Sequence, residues 1–369
     1  MRRRLAFGAI VAAALAAPLG CKDVRVLEPP VASLSTVDSV SGLEGDTIHM
    51  PLVLADSSGR TVADGGYVWR ILDSTVAQLD VRGRLVFGRV GVTTAIVLAG
   101  GLTHAVRVST VARYAIIASG TEYRDFMRWC GITTRGGLYC LASSPTGPDT
   151  LIPLLTPLSP LRTLAVGQGH VCAVDAAHRG WCWGLNVDGE LGAGSGVGGY
   201  GYAFAPVAVQ GGLSFRSIDA GANQSCGVTT GGAVYCWGLH SGGLLGDGDS
   251  SSSGAHPAPM LVPLPLAADT VVAGGAVSCA LLTDRSVWCW GYNGFGEAGV
   301  GGFTPAHAWA PLHVVTSGTT GGSSFVGLSA SSESVCGLTT DAAISCWGNN
   351  SWGQLGNIGN VSCAIPGTL

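Results

Sequence analysis

Cysteine pairs ten positions apart recur five times in this 369-residue chain: Cys130 with Cys140, Cys172 with Cys182, Cys226 with Cys236, Cys279 with Cys289, and Cys336 with Cys346. The first cysteines of successive pairs are 42, 54, 53 and 57 residues apart. A period near 50 residues belongs to propellers and solenoids, in which no unit can bury its apolar face alone. Within each unit short β-rich runs meet at turns without helical periodicity, so four-stranded blades are expected. "SCGV" and "VYCWG" read as the arms of an antiparallel hairpin with Cys226 and Cys236 equidistant from its turn. Residues so placed face each other at roughly 4.5–5.5 Å between Cα atoms, a distance a disulfide tolerates. The same reading makes disulfides of all five pairs. Each bridge closes an eleven-residue loop and is worth about 3 kcal/mol in the chain-entropy model. The loop must be odd-numbered, and a three-residue loop favours glycine at its third position. Gly136 and Gly232 fit there, whereas His178, Arg285 and Ala342 do not, so the turn type is expected to vary.

Disulfides need an oxidising compartment, and the start of the chain supplies the route. In residues 1–21, "MRRRLAFGAIVAAALAAPLGC", three arginines precede an apolar run that ends at small residues, the pattern of an export signal. "PLGC" resembles the lipobox of bacterial lipoproteins, which implies lipidation at Cys21, although Pro18 stands where that motif normally has leucine. The expectation is a lipid-anchored protein of the cell envelope, with soluble secretion as the alternative. Cys363 remains outside the five pairs. Metal binding is disfavoured, because the spacing offers no short clips to gather four ligands.

Residues 22–112 read as a small β-sandwich, with strand candidates separated by Ser57-Ser58-Gly59, Asp64-Gly65-Gly66, Asp73-Ser74 and Arg82-Gly83. Val68-Trp69, Asp73 to Asp80, Gly83 to Gly88 and Gly91 to Ala99 resemble, in order, the motifs of bacterial immunoglobulin-like domains of the BIG2 type. That resemblance makes Trp69 the core tryptophan and implies a spacer or adhesive module.

Residues 113–369 hold the repeats. Trp183-Gly184, Trp237-Gly238, Trp290-Gly291 and Trp347-Gly348 follow the second cysteines. Asn186, Asn293 and Asn349 come next, with His240 in the third repeat, and then "GELG", "GLLG", "GEAG" and "GQLG". Gly167, Gly221 and Gly274 precede the first cysteines, with Ser331 in the last repeat. These motifs resemble those of the regulator of chromosome condensation (RCC1) family, in a secreted, cysteine-paired form, which implies a β-propeller. The first repeat lacks the W-G-x-N step and reads as a worn or capping unit. Five units against the family's usual seven leave a five-bladed ring, a ring completed by other strands, and an open arc all open. The tail "VSCAIPGTL" resembles the strand between repeats and is expected to pair with Tyr114–Ser119 and close the circle.

Catalytic motifs and phosphate-binding loops are missing from the sequence. His170 is a candidate catalytic residue, but a polar side chain on a blade edge is the preferred reading. Asp188, Glu190, Asp247, Asp249 and Glu297 invite a calcium site, yet their apparent drift between repeats favours solvated loops. Four tryptophans on the repeat grid suit packing between blades; Trp309 and Trp352 lie off it and suit exposed anchors. From residue 113 onward, eight arginines face fourteen acidic residues, which disfavours nucleic acid. No cofactor is expected. The resemblance implies a module that works through its loops: the nuclear family member drives nucleotide exchange on a small GTPase, and a bacterial one inhibits β-lactamases. The expected function is therefore a surface binding protein for a protein or glycan, through variable segments 192–206, 240–259 and 296–311. The alternatives are an inhibitor of a secreted enzyme and a lyase or hydrolase in the propeller funnel.

Overall fold

The computed structural model describes residues 33–62, 67–80, 83–99, 101–111, 114–119, 129–133, 136–142, 150–154, 160–195, 201–251, 253–315, 324–356 and 363–368. The chain divides into two compact units, Met1–Arg113 and Tyr114–Leu369. Both are all-β in their strands, with a 3-10 turn at Ser241–Gly243.

In the first unit, β1 (Ser33–Thr36) pairs with β4 (Leu52–Ala55). A second sheet orders β2 (Ser39–Leu43), β9 (Leu102–Val111), β8 (Gly91–Ala99) and β5 (Tyr67–Ile71). A third orders β3 (Thr47–His49), β7 (Arg84–Phe87) and β6 (Ala77–Leu79). Alternate residues of β8 are buried, as period-2 side-chain alternation requires of a half-buried strand. Trp69, Val97 and Val106 of the four-stranded sheet share one core with Ala77, Leu85 and Phe87 of the three-stranded sheet. Gly83 makes the turn between β6 and β7 at φ 79°, its N–H donating to the Asp80 carbonyl. The expected Asp64-Gly65-Gly66 break lies outside the described residues.

The second unit contains five four-stranded antiparallel sheets, one per cysteine pair. Blade 1 is β10 (Tyr114–Ser119), β11 (Trp129–Thr133), β12 (Leu138–Ala142) and β13 (Thr150–Leu154). Blade 2 is β14 (Leu161–Val166), β15 (His170–Asp175), β16 (Gly180–Leu185) and β17 (Tyr202–Ala208). Blade 3 is β18 (Phe215–Ala220), β19 (Gln224–Thr229), β20 (Val234–Leu239) and β21 (Ala255–Leu261). Blade 4 is β22 (Ala268–Ala273), β23 (Val277–Leu282), β24 (Val287–Tyr292) and β25 (His307–His313). Blade 5 is β26 (Phe325–Ala330), β27 (Ser334–Thr339), β28 (Ile344–Gly348) and β29 (Cys363–Thr368). The first repeat is thus a complete sheet.

Each cysteine pair bridges the second and third strands of its own blade. Cys130 is bonded to Cys140 in blade 1, Cys172 to Cys182 in blade 2 and Cys226 to Cys236 in blade 3. Cys279 is bonded to Cys289 in blade 4, and Cys336 to Cys346 in blade 5. The Cα atoms of each pair are 4.0–4.1 Å apart. This is below the expected range and marks the shorter, non-hydrogen-bonded kind of cross-strand pair. The hairpin turns do not vary. Gly136, His178, Gly232, Arg285 and Ala342 all have positive φ, between 63° and 86°. Each donates its N–H three residues back, as His178 does to Asp175. Three side chains therefore accept a left-handed conformation that costs roughly 1–2 kcal/mol, and one turn serves every blade.

The tail also departs from expectation. β29 pairs with β28, matching Cys346 to Gly367 and Gly348 to Cys363, while Tyr114–Ser119 is the first strand of blade 1 and pairs with β11. Every repeat supplies its own fourth strand, so the tail completes its own blade rather than joining the chain's ends.

Four junctions hold the blades in series, and they share one design. The disulfide and hairpin-tip residues of one blade pack on the first strand and the tryptophan of the next. Cys130, Cys140, Ile132 and Leu138 meet Leu161, Leu164 and Trp183. Cys172, Cys182 and Val174 meet Phe215, Ile218 and Trp237. Blades 3, 4 and 5 continue the pattern, with the Cys226–Cys236 and Cys279–Cys289 bridges packed in one core with Trp290 and Trp347. Near the axis, an ideal Cβ on Gly167, Gly221 or Gly274 would lie 2.2–2.3 Å from the carbonyl oxygen of Gly221, Gly274 or Ser331 in the following blade, too close for any side chain. That contact accounts for the glycine at this place in the repeat.

Candidate binding face

The loops joining third to fourth strands share one side of the propeller with the turns joining first to second strands. They carry the variable segments, and in blades 2 to 4 their bases are locked. Trp237 Nε1 donates to the Glu190 carbonyl (2.8 Å), Trp290 to Leu244 (3.1 Å) and Trp347 to Glu297 (2.9 Å). Each tryptophan thus fastens the G-x-L-G turn of the preceding blade. Trp183 is equally buried, but its N–H finds no acceptor among the described residues. Blade 1, which precedes it, lacks that turn in sequence.

Inside the turn a second set of bonds recurs. Asn186 Oδ1 accepts from Leu191 N–H, and Asn293 Oδ1 from Ala298 N–H (both 3.0 Å). In blade 5 the bond runs from Leu355 N–H to Asn350 Oδ1 (2.9 Å). The motif asparagine is therefore Asn350, not Asn349, which instead donates to Glu333. Glu190, Glu297 and Gln354 each accept the backbone N–H two residues earlier, at 2.8–2.9 Å. Glu190 and Glu297 are fully buried and occupy equivalent turn positions, which corrects the reading of both as drifting, solvated loop acids. Burial pushes both carboxyls up to about 7, and the Oε1 atom of each has no hydrogen-bond partner among the described residues. Among the other candidate calcium ligands, Asp188 accepts from Asn223 (2.9 Å) and Asp247 pairs with His240 (3.0 Å). No group of acidic, histidine or cysteine side chains that could hold a metal occurs among the described residues.

Beyond the locked bases, aromatic rings gather on blade 4. Tyr292 lies 5.5 Å from His307 and 6.1 Å from Phe295, and His307 lies 5.9 Å from Trp309. Phe295 and Trp352 hold the same turn position, immediately before the glycine of G-x-L-G, and Trp352 is 91% exposed. Trp309 is half-buried at the start of β25; its counterpart on β17 is Phe204, whose ring lies tilted 4.6 Å from that of Tyr202 and is largely exposed. Tyr292, Phe295 and Phe204 were missed in the sequence. Aligning the turns on their glycines would have exposed Phe295 as the partner of Trp352.

At the axis, Ser119, Gly167, Asp219, Ala273 and Ser331, one from each blade, are among the residues lining a cavity of about 120 Å³. Asp219 is the one ionisable side chain among its described lining residues. It accepts the Ala273 N–H (2.8 Å), and burial pushes its carboxyl up to about 6. His170 lies elsewhere. It is fully buried between blades 2 and 3, not on a blade edge, and its Nε2 is 2.8 Å from Ser225 Oγ. The serine donates onward to the Glu190 carbonyl. Burial lowers the imidazole to about 4, which keeps it neutral. In blade 3 Gln224 reaches Ser278 of blade 4 in the same way, so the pair is a blade-to-blade tie, closed to any substrate. The second cysteines of the bridges, Cys140, Cys182, Cys236, Cys289 and Cys346, are all buried, so the disulfides are part of the scaffold and not of the face. Cys21 lies outside the described residues.

The Regulator of chromosome condensation (RCC1) repeat family matches residues 269–297, the first three strands of blade 4 and the start of its turn. Over 210 residues the chain is 30% identical to the human probable E3 ubiquitin-protein ligase HERC6, covering 54% of this chain and 20% of that protein. It is 25% identical over 215 residues to the ultraviolet-B receptor UVR8 of Arabidopsis thaliana, covering 56% of this chain and 45% of that one. The chain thus spans less than half the length of these relatives. Among solved structures, human WBSCR16 aligns with a TM-score of 0.59 at 14% identity, over 91% of this chain and 82% of that one. Yeast RCC1 (Prp20), solved bound to Kap60, aligns with a TM-score of 0.56 at 15% identity, over 88% and 73%.

Proposed function

Because its repeat region is an RCC1-like propeller domain, we propose that this chain is an exported binding protein that captures a partner protein with the ring-bearing loops of blades 4 and 5. The observation that carries this is a set of rings on a pinned turn: Tyr292, Phe295, His307 and Trp309 gather at the blade 4 turn that Trp347 fastens, and Trp352 stands 91% exposed at the equivalent position of blade 5. Rigid scaffolds carrying variable loops are where recognition concentrates, and tryptophan and tyrosine dominate the energetics of protein interfaces. A structural neighbour of the same fold is described bound to Kap60, which supports a protein partner over a glycan. The five disulfides suit an extracellular or secreted setting. In this reading residues 1–21 direct export, Cys21 carries a lipid, and an immunoglobulin-like module spaces the propeller from the membrane. In this reading the chain is a binder: acid–base chemistry in the funnel would need two convergent groups, and Asp219 is the one ionisable side chain among the described residues lining the axial cavity.

The experiment is a capture from envelope extract with the chain and with Trp352→Ala and Phe295→Ala variants. A partner held by the wild type and lost with either ring supports the reading. Equal capture by all three, or binding to a glycan array with no protein retained, refutes it.

A further inference from the structure

The series of blades ends in two uncovered faces that match each other. In blades 1 to 4 the hairpin-tip pairs are Ile132 with Leu138, Val174 with Gly180, Val228 with Val234, and Leu281 with Val287, and all are buried by the following blade. The same pair in blade 5 is Leu338 with Ile344, and these are 43% and 47% exposed. Cys336 beside it is half-buried, whereas the first cysteines of the other four bridges are fully buried. At the other end, the mate of such a face is the first strand of a blade. Ile218 and Val271 of blades 3 and 4 are buried against the preceding blade, but Ile117, their counterpart in blade 1, is 64% exposed. Sequence marks the same seam. Ser331 stands where the other junctions require glycine, so no carbonyl of a following blade presses on that position. Leu141 replaces the tryptophan that would fasten the turn of blade 5.

Each end therefore displays one half of an interface that the chain builds four times internally, and the two halves of one chain do not cover each other. We propose that a second copy covers them: the disulfide face of blade 5, with Leu338 and Ile344, packs on the first strand of blade 1, with Ile117, of a neighbouring chain. The contact is head to tail. A head-to-tail contact leaves one face of each kind free on every dimer, so association runs on into a filament or closes into a ring.

Sedimentation velocity on the full chain with Cys21→Ala, which removes any lipid contribution, tests this over a concentration series. The expected result is a sedimentation coefficient that rises with concentration. Leu338→Glu and Ile117→Glu, both at exposed positions, should each weaken association more than tenfold. The decisive arm mixes the two variants. Each alone is monomeric, but together they have one intact face of each kind and should form 1:1 dimers and nothing larger. A wild type that stays monomeric at every concentration overturns the proposal, since the seam then closes within one chain or stays bare. Failure of the mixed variants to dimerise while the wild type associates also overturns it, because the contact then lies elsewhere.

Discussion

Replacing Glu297 with glutamine should stabilise the propeller at alkaline pH and leave it unchanged at acid pH. Buried Glu297 accepts the Phe295 N–H through Oε2, while its Oε1 has no partner among the described residues. Burial first, and then Glu333, raises its carboxyl to about 7, from 4.5 in the unfolded chain. Between those values the folded state holds a proton that the unfolded state has released, so stability falls as pH rises through this window. Once ionisation is complete the loss reaches about 3 kcal/mol at 1.36 kcal/mol per pH unit. Glutamine imitates the protonated acid, and blade 5 already uses it: Gln354 accepts the Trp352 N–H in the same turn. For a domain of this size about 2–4 °C accompanies each kcal/mol. Glu297→Gln should therefore raise the midpoint by roughly 6–12 °C at pH 8.5 and by nothing measurable at pH 4.5. Tryptophan fluorescence during heating reports the propeller through its four buried indoles. Glu190→Gln should behave alike, with its carboxyl also raised to about 7. His170, lowered to about 4, acts in the opposite sense between pH 4 and 6.5, so both variants must be compared with wild type at each pH. A gain of equal size at both pH values, or a loss at pH 8.5, would refute the burial argument.

Gly221→Ala should cost more than about 2 kcal/mol, the range of overpacking a tight site, because its Cβ would sit 2.3 Å from the Gly274 carbonyl; urea midpoints measure this, and Ser331→Gly is the near-neutral control. Trp237→Phe should lose about 1 kcal/mol beyond its change in volume, the net worth of one hydrogen bond, because the Ser225 hydroxyl remains as a donor to the Glu190 carbonyl. Trp183→Phe should lose only the volume part, since its N–H has no described acceptor; equal losses in thermal melts would sink that distinction. Gly232→Ala should be clearly destabilising, with φ 86° and the Ala267 Cβ 2.6 Å from the new methyl. Ala342→Gly should be neutral or mildly stabilising, because it relieves a left-handed alanine; chemical denaturation of both variants gives the sign.

Much of the propeller was legible because its signals are local. A cysteine ten residues from its mate fixes a hairpin register without knowledge of anything distant. The pairings of Cys130 to Cys140, Cys172 to Cys182, Cys226 to Cys236 and Cys279 to Cys289 follow from that alone. Errors arose where local spacing was read too closely or burial was not local. Asn349 and Asn350 are adjacent, and only the bond to Leu355 distinguishes them. His178, Arg285 and Ala342 do not look like left-handed residues, yet the shared hairpin geometry imposes that conformation on them. Glu190 and Glu297 look like solvent-facing acids because the residues that bury them come from other segments of the repeat series. His170 likewise acquires its role from Ser225, 55 residues away. In the binding face, Trp309 and Trp352 stood out for lying off the repeat grid; Tyr292 and Phe295 did not, since only the folded turn brings their rings together.

The bonds from Trp237, Trp290 and Trp347 to the preceding turns set the natural cassette for recombination or loop grafting. A blade, cut from its first strand to its fourth, carries a loop but leaves behind the indole that holds it. The portable piece is offset: it begins at the G-x-L-G turn of one blade and ends at the tryptophan of the next. A variable segment moved with that following tryptophan should arrive with its shape, whereas one moved with its own blade should arrive slack. The loop of blade 5 is the natural exception. Among the described residues its turn is held by Asn350 and Gln354 of blade 5 itself, so the segment bearing Trp352 can be moved with its own blade.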